Sequence, residues 1–153
     1  MKWFIDLVTN PFFMTPILSW LVAQVIKTII HAIANKMVDF KRMAGDGGMP
    51  SCHSATVASL AFICLLHFGA GSFQFAVTVI LAIIVCHDAY GVRQEAGKHA
   101  AILNRLMDAS EQDFDEYLPK GKLNEHIGHS PAEVFVGVFI GIGMAIVMYF
   151  IWF

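Results

Sequence analysis

The chain has 153 residues, of which 57% are hydrophobic and only 14% are charged. A soluble domain of this size cannot bury so much apolar surface, so the composition predicts an integral membrane protein. The formal net charge of −2 excludes the basic character expected of a protein with a nucleic-acid partner.

Four apolar segments are long enough, or nearly so, to cross about 30 Å of hydrocarbon as helices. We place them at residues 12–34, 53–69, 72–90 and 132–153. The second segment is short at its polar end, so it needs tilt or a buried neighbour. The sequence therefore predicts an all-α fold in which residues 1–153 form a single membrane-embedded domain.

The first span carries a polar stripe at helical spacing. Its members are Gln24, Lys27, Thr28, His31 and Asn35. Polar groups in hydrocarbon are costly unless they are paired or face a wet interior, so this stripe is expected to face the other helices. Hydrogen bonding between helices would explain the Gln and Thr residues. The ammonium group of Lys27 favours a functional site instead.

Small residues recur along the last span at intervals of four, at Gly137, Gly141 and Ala145. This pattern is typical of helices that approach one another closely. We therefore interpret the stripe as a packing surface without a direct chemical role.

The connection between the third and fourth spans, residues 91–131, is the largest polar region. Its first part shows apolar residues at helical spacing, namely Val92, Ala96, Ala100, Leu103 and Met107. These predict one amphipathic, interfacial helix that lies against the bundle or the bilayer surface. The part that follows is acidic, and Pro119 with Gly121 indicates a loop.

The cations are distributed unequally between the two sides of the predicted bundle. One side holds Lys36, Lys41, Arg42, Arg93, Lys98, Arg105, Lys120 and Lys122, whereas the other holds Lys2. The positive-inside rule then predicts that the polar connections face the cytoplasm.

Three polar clusters fall at this same membrane boundary. They are "GGMPSCHSA" (47–55), "HDAYGVRQEAGKHAAILN" (87–104) and "GHSPAEVFVG" (128–137). Together they offer imidazoles, cations, carboxylates and a run of backbone amides before a helix. Helix N-termini and Arg side chains bind phosphate, and histidine acts as a nucleophile or acid near neutral pH.

These three motifs, in this order and spacing, resemble the divergent branch of the type 2 phosphatidic acid phosphatase superfamily, which also includes vanadium haloperoxidases. "MPSCHSA" is similar to the Pro-Ser-Gly-His element of the superfamily. The resemblance covers nearly the whole chain. It implies a membrane-embedded hydrolase that forms a phosphohistidine intermediate and needs no metal or other cofactor.

The resemblance also implies roles for individual residues. His129 would be the nucleophile, with Glu133 accepting a hydrogen bond from one of its ring nitrogens, and His53 would be the general acid. Ser51 and the backbone amides of the turn that contains Gly48 would hold phosphate oxygens.

Cations would neutralise the phosphate, and the candidates are Arg93, Lys98, Arg42 and Lys27. For Asp88 two roles remain open. It would either cap its helix or pair with Arg93, or it would position that arginine for catalysis.

The chain departs from the superfamily pattern in two places. Leu123 stands where the superfamily has an arginine six residues before the nucleophile, and the Lys and Arg-Pro motif is absent. Arg93 stands six residues before His99, but Leu103 follows where a carboxylate is needed. We therefore favour His129 over His99 as the nucleophile.

The predicted substrate is a lipid phosphate, either phosphatidylglycerophosphate, phosphatidate or a polyprenyl diphosphate. The expected location is the cytoplasmic membrane of a bacterium, with the site facing the cytoplasm. A homo-oligomer, in which a second subunit would seal the site, is a candidate assembly. The alternative is a non-catalytic membrane protein that binds anionic lipid or a protein partner. A metal-dependent hydrolase or transporter is disfavoured, because only His126 and His129 are spaced as a tight ligand pair.

Overall fold

The computed structural model describes residues 2–36, 48–109, 122–125 and 127–153, apart from the side chain of Asn35. All regular elements in these ranges are α-helices. They are α1 (Lys2–Val8), α2 (Pro11–Asn35), α3 (Cys52–Phe68), α4 (Phe73–Tyr90), α5 (Val92–Ala109) and α6 (Pro131–Trp152). The all-helical prediction is confirmed for the described part of the chain.

Three helical segments are long and apolar enough to cross a membrane. They are Pro11–Ala34, Phe73–Ala109, which combines α4 and α5, and Pro131–Trp152. The remaining predicted span, α3, is apolar but has 17 residues, which corresponds to about 25 Å of helix. Its shortness agrees with the expectation from the sequence. The short helix α1 was not predicted, because seven residues are too few to show a clear period.

Local capping signals explain where the long helices begin and end. Asn10 caps α2, where Pro11 takes the first helical position and suits it because proline lacks an N–H. A serine hydroxyl accepts a backbone hydrogen bond at the start of three other helices, at Ser51, Ser72 and Ser130. Gly91 separates α4 from α5.

Helix α3 lies at the centre of the bundle and packs against α2, α4 and α6. Its closest partner is α6, where Gly137 and Gly141 approach the carbonyl oxygens of Ser51 and Ala55 so closely that a Cβ would overlap them. The predicted packing role of the small-residue stripe is confirmed. The close approach of α6 gives α3 a buried neighbour along most of its length.

Gln24 and Lys27 of the polar stripe of α2 face the bundle, as predicted, and Thr28 and His31 are half-buried. The side chains of Gln24 and Lys27 are 6% and 7% exposed. Five residues before Gln24 on the same helix, the Ser19 hydroxyl donates to the Ala55 carbonyl oxygen at 3.0 Å. Helix α2 therefore presents polar groups to α3 while its large apolar side chains face outward.

Helix α4 is the most lipid-exposed of the long helices. Ala89 is its buried residue, and large side chains such as Ile80, Ile83 and Ile84 are more than half exposed. It packs against α3 and meets α6 at few points. In a bilayer these exposed apolar surfaces are solvated by lipid chains, so their exposure is not destabilising.

An aromatic cluster lies at the end of the bundle where α3 and α6 finish. The His67 ring contacts the rings of Phe153, Phe68 and Phe12, with centroid separations of 4.2, 4.6 and 5.3 Å. This arrangement is typical of the membrane interface, where amphipathic rings gather. The starts of α3 and α6 lie at the opposite end, where the predicted site is.

Helix α5 buries Gly97, Ala100 and Asn104. Ala100 belongs to the predicted apolar stripe, whereas Val92 and Leu103 of that stripe are exposed. The protein therefore covers only part of the stripe.

Candidate active site

Three helix ends meet at one end of the bundle: the start of α3, the junction of α4 with α5, and the start of α6. The Ser51 backbone N–H donates to the Glu133 carbonyl oxygen at 3.0 Å, which joins α3 to α6. The His129 backbone N–H donates to the Ala89 carbonyl oxygen at 2.9 Å, which joins α6 to α4. These bonds bring together the three clusters that the sequence placed at one boundary.

His129 and Glu133 form a hydrogen-bonded pair at the start of α6. The His129 side chain is 3% exposed, and its Nδ1 lies 3.0 Å from Glu133 Oε2. The same oxygen accepts from the Ser130 backbone N–H at 3.2 Å, while Ser130 Oγ accepts from the Glu133 N–H. This capping box holds the carboxylate in place. An ionised carboxylate only accepts, so it selects the tautomer with the proton on Nδ1 and leaves the Nε2 lone pair available.

His53 faces this pair from the first turn of α3. The ring centroids of His53 and His129 are 6.1 Å apart, and the two ring planes are inclined by 60°. Two imidazoles at this separation are close enough to contact one phosphoryl group. The pairing of these histidines, which lie far apart in the sequence, is the main geometric feature of the site.

The family model that matches residues 8–144 is described as the divergent PAP2 family. The chain belongs to this family. It is also 36% identical to the "Uncharacterized membrane protein YuiD" of Bacillus subtilis strain 168, over 94% of this chain and 96% of the relative. No solved structure matches the chain.

Two predicted phosphate-binding residues of this divergent PAP2 protein lie in the turn before α3. Gly48 has a φ of +87°, which favours glycine, and a Cβ there would meet no atom within 4 Å. The Ser51 side chain is fully buried. Its Oγ accepts from the Ser54 backbone N–H at 3.4 Å and from the Ser54 hydroxyl at 3.0 Å. Ser51 is thus the cap of α3.

Among the predicted cations that the structure describes, Lys27 is the most buried. It is 7% exposed on α2, and its ammonium group interacts with the Cys52 thiol at the start of α3. Ala23, one turn earlier on α2, packs against Cys52 and Ala55. This packing places a positive charge next to the residue that precedes His53.

Arg93 and Asp88 form an ion pair across the α4–α5 junction. Arg93 Nε lies 2.7 Å from Asp88 Oδ2, and both side chains are about 40% exposed (40% and 43%). The Arg93 backbone also contacts Gly128, where a Cβ would come within 2.7 Å of the Arg93 carbonyl carbon. Gly128 precedes His129, so this ion pair lies beside the segment that carries the histidine.

Of the two remaining predicted cations, the structure describes Lys98. Lys98 is 59% exposed and binds Glu95 Oε1 at 2.7 Å on the outer surface of α5. Arg42 lies outside the described residues. His99, the alternative nucleophile, is exposed on α5. Within the described ranges, which do not include His126, no three His, Cys, Asp or Glu residues are grouped to hold a metal ion.

Asn104 was not identified from the sequence, yet it holds the segment that leads to His129. Its amide nitrogen donates to the Leu123 carbonyl oxygen at 2.9 Å and to Glu125 Oε1 at 2.7 Å. Its amide oxygen accepts from the Leu123 N–H at 2.9 Å. Gly97 lets the segment approach α5, since a Cβ there would lie 2.7 Å from the Glu125 carbonyl oxygen. The sequence signal for Asn104 was its place as the last residue of the 87–104 cluster, beside the apolar stripe of α5.

An exposed ion pair lies at the beginning of this segment. Lys122 Nζ lies 2.8 Å from Asp108 Oδ2. The hydrogen bond to the Asp108 carboxylate raises the pKa of the Lys122 ammonium. Exposed pairs contribute little to stability, so we assign the anchoring of the segment to Asn104.

Asn104→Ala is expected to loosen the anchored segment. The change removes the side-chain acceptor of the half-buried Leu123 N–H, a loss of about 1 kcal/mol. Hydrogen exchange measured by mass spectrometry should show faster exchange at residues 122–125. Arg105→Ala, at an exposed neighbouring position of α5, serves as the control and should leave exchange unchanged. Equal exchange in the two variants would contradict the anchoring role.

Proposed function

We propose that this protein is a membrane-embedded, metal-independent phosphatase that hydrolyses a lipid phosphate through a phosphohistidine intermediate. One observation carries the proposal: the Glu133-bound imidazole of His129 lies 6.1 Å, centroid to centroid, from the imidazole of His53. Binding of an anionic lipid needs only cations. A carboxylate-oriented histidine opposite a second histidine is instead suited to nucleophilic and acid catalysis.

In the first step, His129 Nε2 attacks phosphorus and the bond from phosphorus to the lipid oxygen breaks. Protonated His53 donates its proton to the leaving oxygen, so the lipid departs as a neutral alcohol or, from a diphosphate, as a monophosphate. The Glu133 carboxylate stabilises the positive charge that His129 gains, through the hydrogen bond at Nδ1.

In the second step, a water molecule attacks the phosphohistidine. Neutral His53 now accepts a proton from the water, the phosphorus–nitrogen bond breaks, and inorganic phosphate leaves. Both histidines return to their starting protonation states. The same side chain thus acts as acid and then as base.

Positive groups around the two histidines are proposed to bind the phosphate oxygens. Lys27 approaches from α2, and Arg93 from the α4–α5 junction. The backbone amides at the start of α3 and the open space at Gly48 complete this side of the site. These donors stabilise the charge of the pentavalent transition state. The assignments of Lys98 and Arg42 remain predictions from the family resemblance.

The proposed substrates are phosphatidylglycerophosphate, phosphatidate or a polyprenyl diphosphate. The cation distribution supports a site that faces the cytoplasm of a bacterial cell, and a homo-oligomer would shield the part of Arg93 that is exposed in the single chain.

The proposal is tested by phosphate release from the purified protein in detergent. A panel of lipid phosphates is incubated with the protein, with and without chelator and with vanadate, which mimics the pentavalent state. We expect activity that survives the chelator and is inhibited by vanadate. Binding of anionic lipid vesicles without phosphate release would favour the non-catalytic alternative, and loss of activity with chelator would contradict a metal-independent reaction.

Arg93→Gln is expected to lower kcat/KM by about 10²-fold, because it removes one donor for the transition-state charge. Asp88→Asn should have a smaller effect, about tenfold, since it only loosens the position of Arg93. Arg105→Gln, which changes an exposed arginine on the same helix, is the matched control for steady-state kinetics. If the two arginine variants behave alike, Arg93 does not bind phosphate.

A further inference from the structure

A groove with apolar walls lies between α3, α4 and α6, on the lipid-facing side of the candidate active site. Its volume is about 340 Å³, within the range of small-molecule pockets. The walls are formed by side chains that include Ala61 and Leu65 of α3, Ala82 and Cys86 of α4, and Val138 and Ile142 of α6.

The groove exists because α4 packs against α3 but diverges from α6. The small side chains of Ala58, Ala61 and Ala82 leave the space unfilled. Other large side chains of α4, such as Ile80 and Ile84, are exposed and do not line the groove.

One end of the groove lies about one helical turn from residues that contact the candidate active site. Cys86 lies one helical turn before Ala89, whose carbonyl oxygen accepts the His129 N–H. Val138 follows Gly137, which packs against Ser51. A molecule that fills the groove would therefore have one end near the candidate active site.

The length of the groove identifies the kind of chain that fits. Phe75, at the far end, lies eleven residues before Cys86 on α4, or about 16 Å along a helix. This is about the depth of one leaflet, which is half of a hydrocarbon core of about 30 Å. An acyl chain of a glycerolipid spans that depth, whereas a long polyprenyl chain would extend well beyond it.

We propose that the groove binds one acyl chain of the glycerolipid phosphate whose head group lies between His53 and His129. This inference rests on the proposed function and selects among its substrates. In a bilayer the chain gains no hydrophobic driving force from leaving the lipid, so the selectivity comes from packing against the groove and from the tethered head group.

A substitution that fills the groove tests the inference, when its effect on a lipid substrate is compared with its effect on a substrate without a chain. Ala82→Trp fills it from α4, and we expect kcat/KM for dipalmitoyl phosphatidate to fall about tenfold or more. Hydrolysis of para-nitrophenyl phosphate, which has no chain, should be retained and shows that the variant is folded. Ala76→Trp, at an exposed position of α4 outside the groove, should change neither rate. Equal losses on both substrates, or no loss on the lipid, would overturn the inference.

Photolabelling tests the groove without turnover. His129→Ala protein in vesicles is irradiated with phosphatidate that carries a diazirine in mid-chain, and labelled peptides are mapped by mass spectrometry. We expect labels on groove residues of α4 and α6, and fewer labels from phosphatidylcholine with the same chain. Equal labelling by the two lipids would mean that bulk lipid fills the groove. If the wild type releases no phosphate, the proposed function fails, while this labelling still decides whether the groove selects phosphatidate.

Discussion

His129→Ala is expected to reduce phosphate release from lipid phosphates by about 10⁴-fold or more. Removing a nucleophile eliminates the covalent route, and the remaining groups supply little catalysis together. Release of phosphate from phosphatidate by the purified protein measures the effect. The phosphohistidine itself is sought with radiolabelled substrate, and the label should be absent from the His129→Ala protein.

Two further variants distinguish the nucleophile from the residue that orients it and from the alternative nucleophile. Glu133→Gln replaces the carboxylate with an amide of the same shape, so His129 is still held but its tautomer is no longer fixed. We expect a loss of about 10²-fold. His99→Ala removes the alternative nucleophile, which is exposed on α5, and should leave activity near wild type. If His99→Ala abolishes activity while His129→Ala retains it, the assignment of the nucleophile is wrong.

Gly141→Ala is expected to destabilise the helix bundle. A Cβ at this position overlaps the Ala55 carbonyl oxygen and lies 2.9 Å from the Ser59 backbone nitrogen. Both are main-chain atoms, so relief requires α3 and α6 to separate. The predicted loss is about 1–3 kcal/mol in the free energy of unfolding, as for overpacked cores. A lower midpoint of thermal unfolding in detergent measures it.

The matched control for this prediction is Gly143→Ala, two residues further along α6. A Cβ there meets no atom within 4 Å. Both substitutions gain the same intrinsic helix propensity, so their difference reports packing alone. Equal unfolding midpoints for the two variants would show that the close approach of α3 and α6 does not limit stability.

Much of the fold follows from local sequence patterns. Runs of apolar residues indicate the long helices, and serine caps mark their starts within one or two residues of the predictions. The pair of His129 and Glu133 was predicted from the family resemblance, and local geometry explains why it forms. A spacing of four residues, with Ser130 as a cap between them, brings the two side chains together.

The sequence by itself determined a helical membrane protein, its long apolar helices and the histidine–glutamate pair, because these depend on composition and on residues close in the chain. Only the tertiary structure decided that His53 lies opposite His129, that Asn104 anchors the segment before it, and that a groove ends near the site. These features depend on how closely the helices approach. That distance is determined by contacts of Gly97, Gly137 and Gly141 with backbone atoms distant in sequence, which no local period reveals.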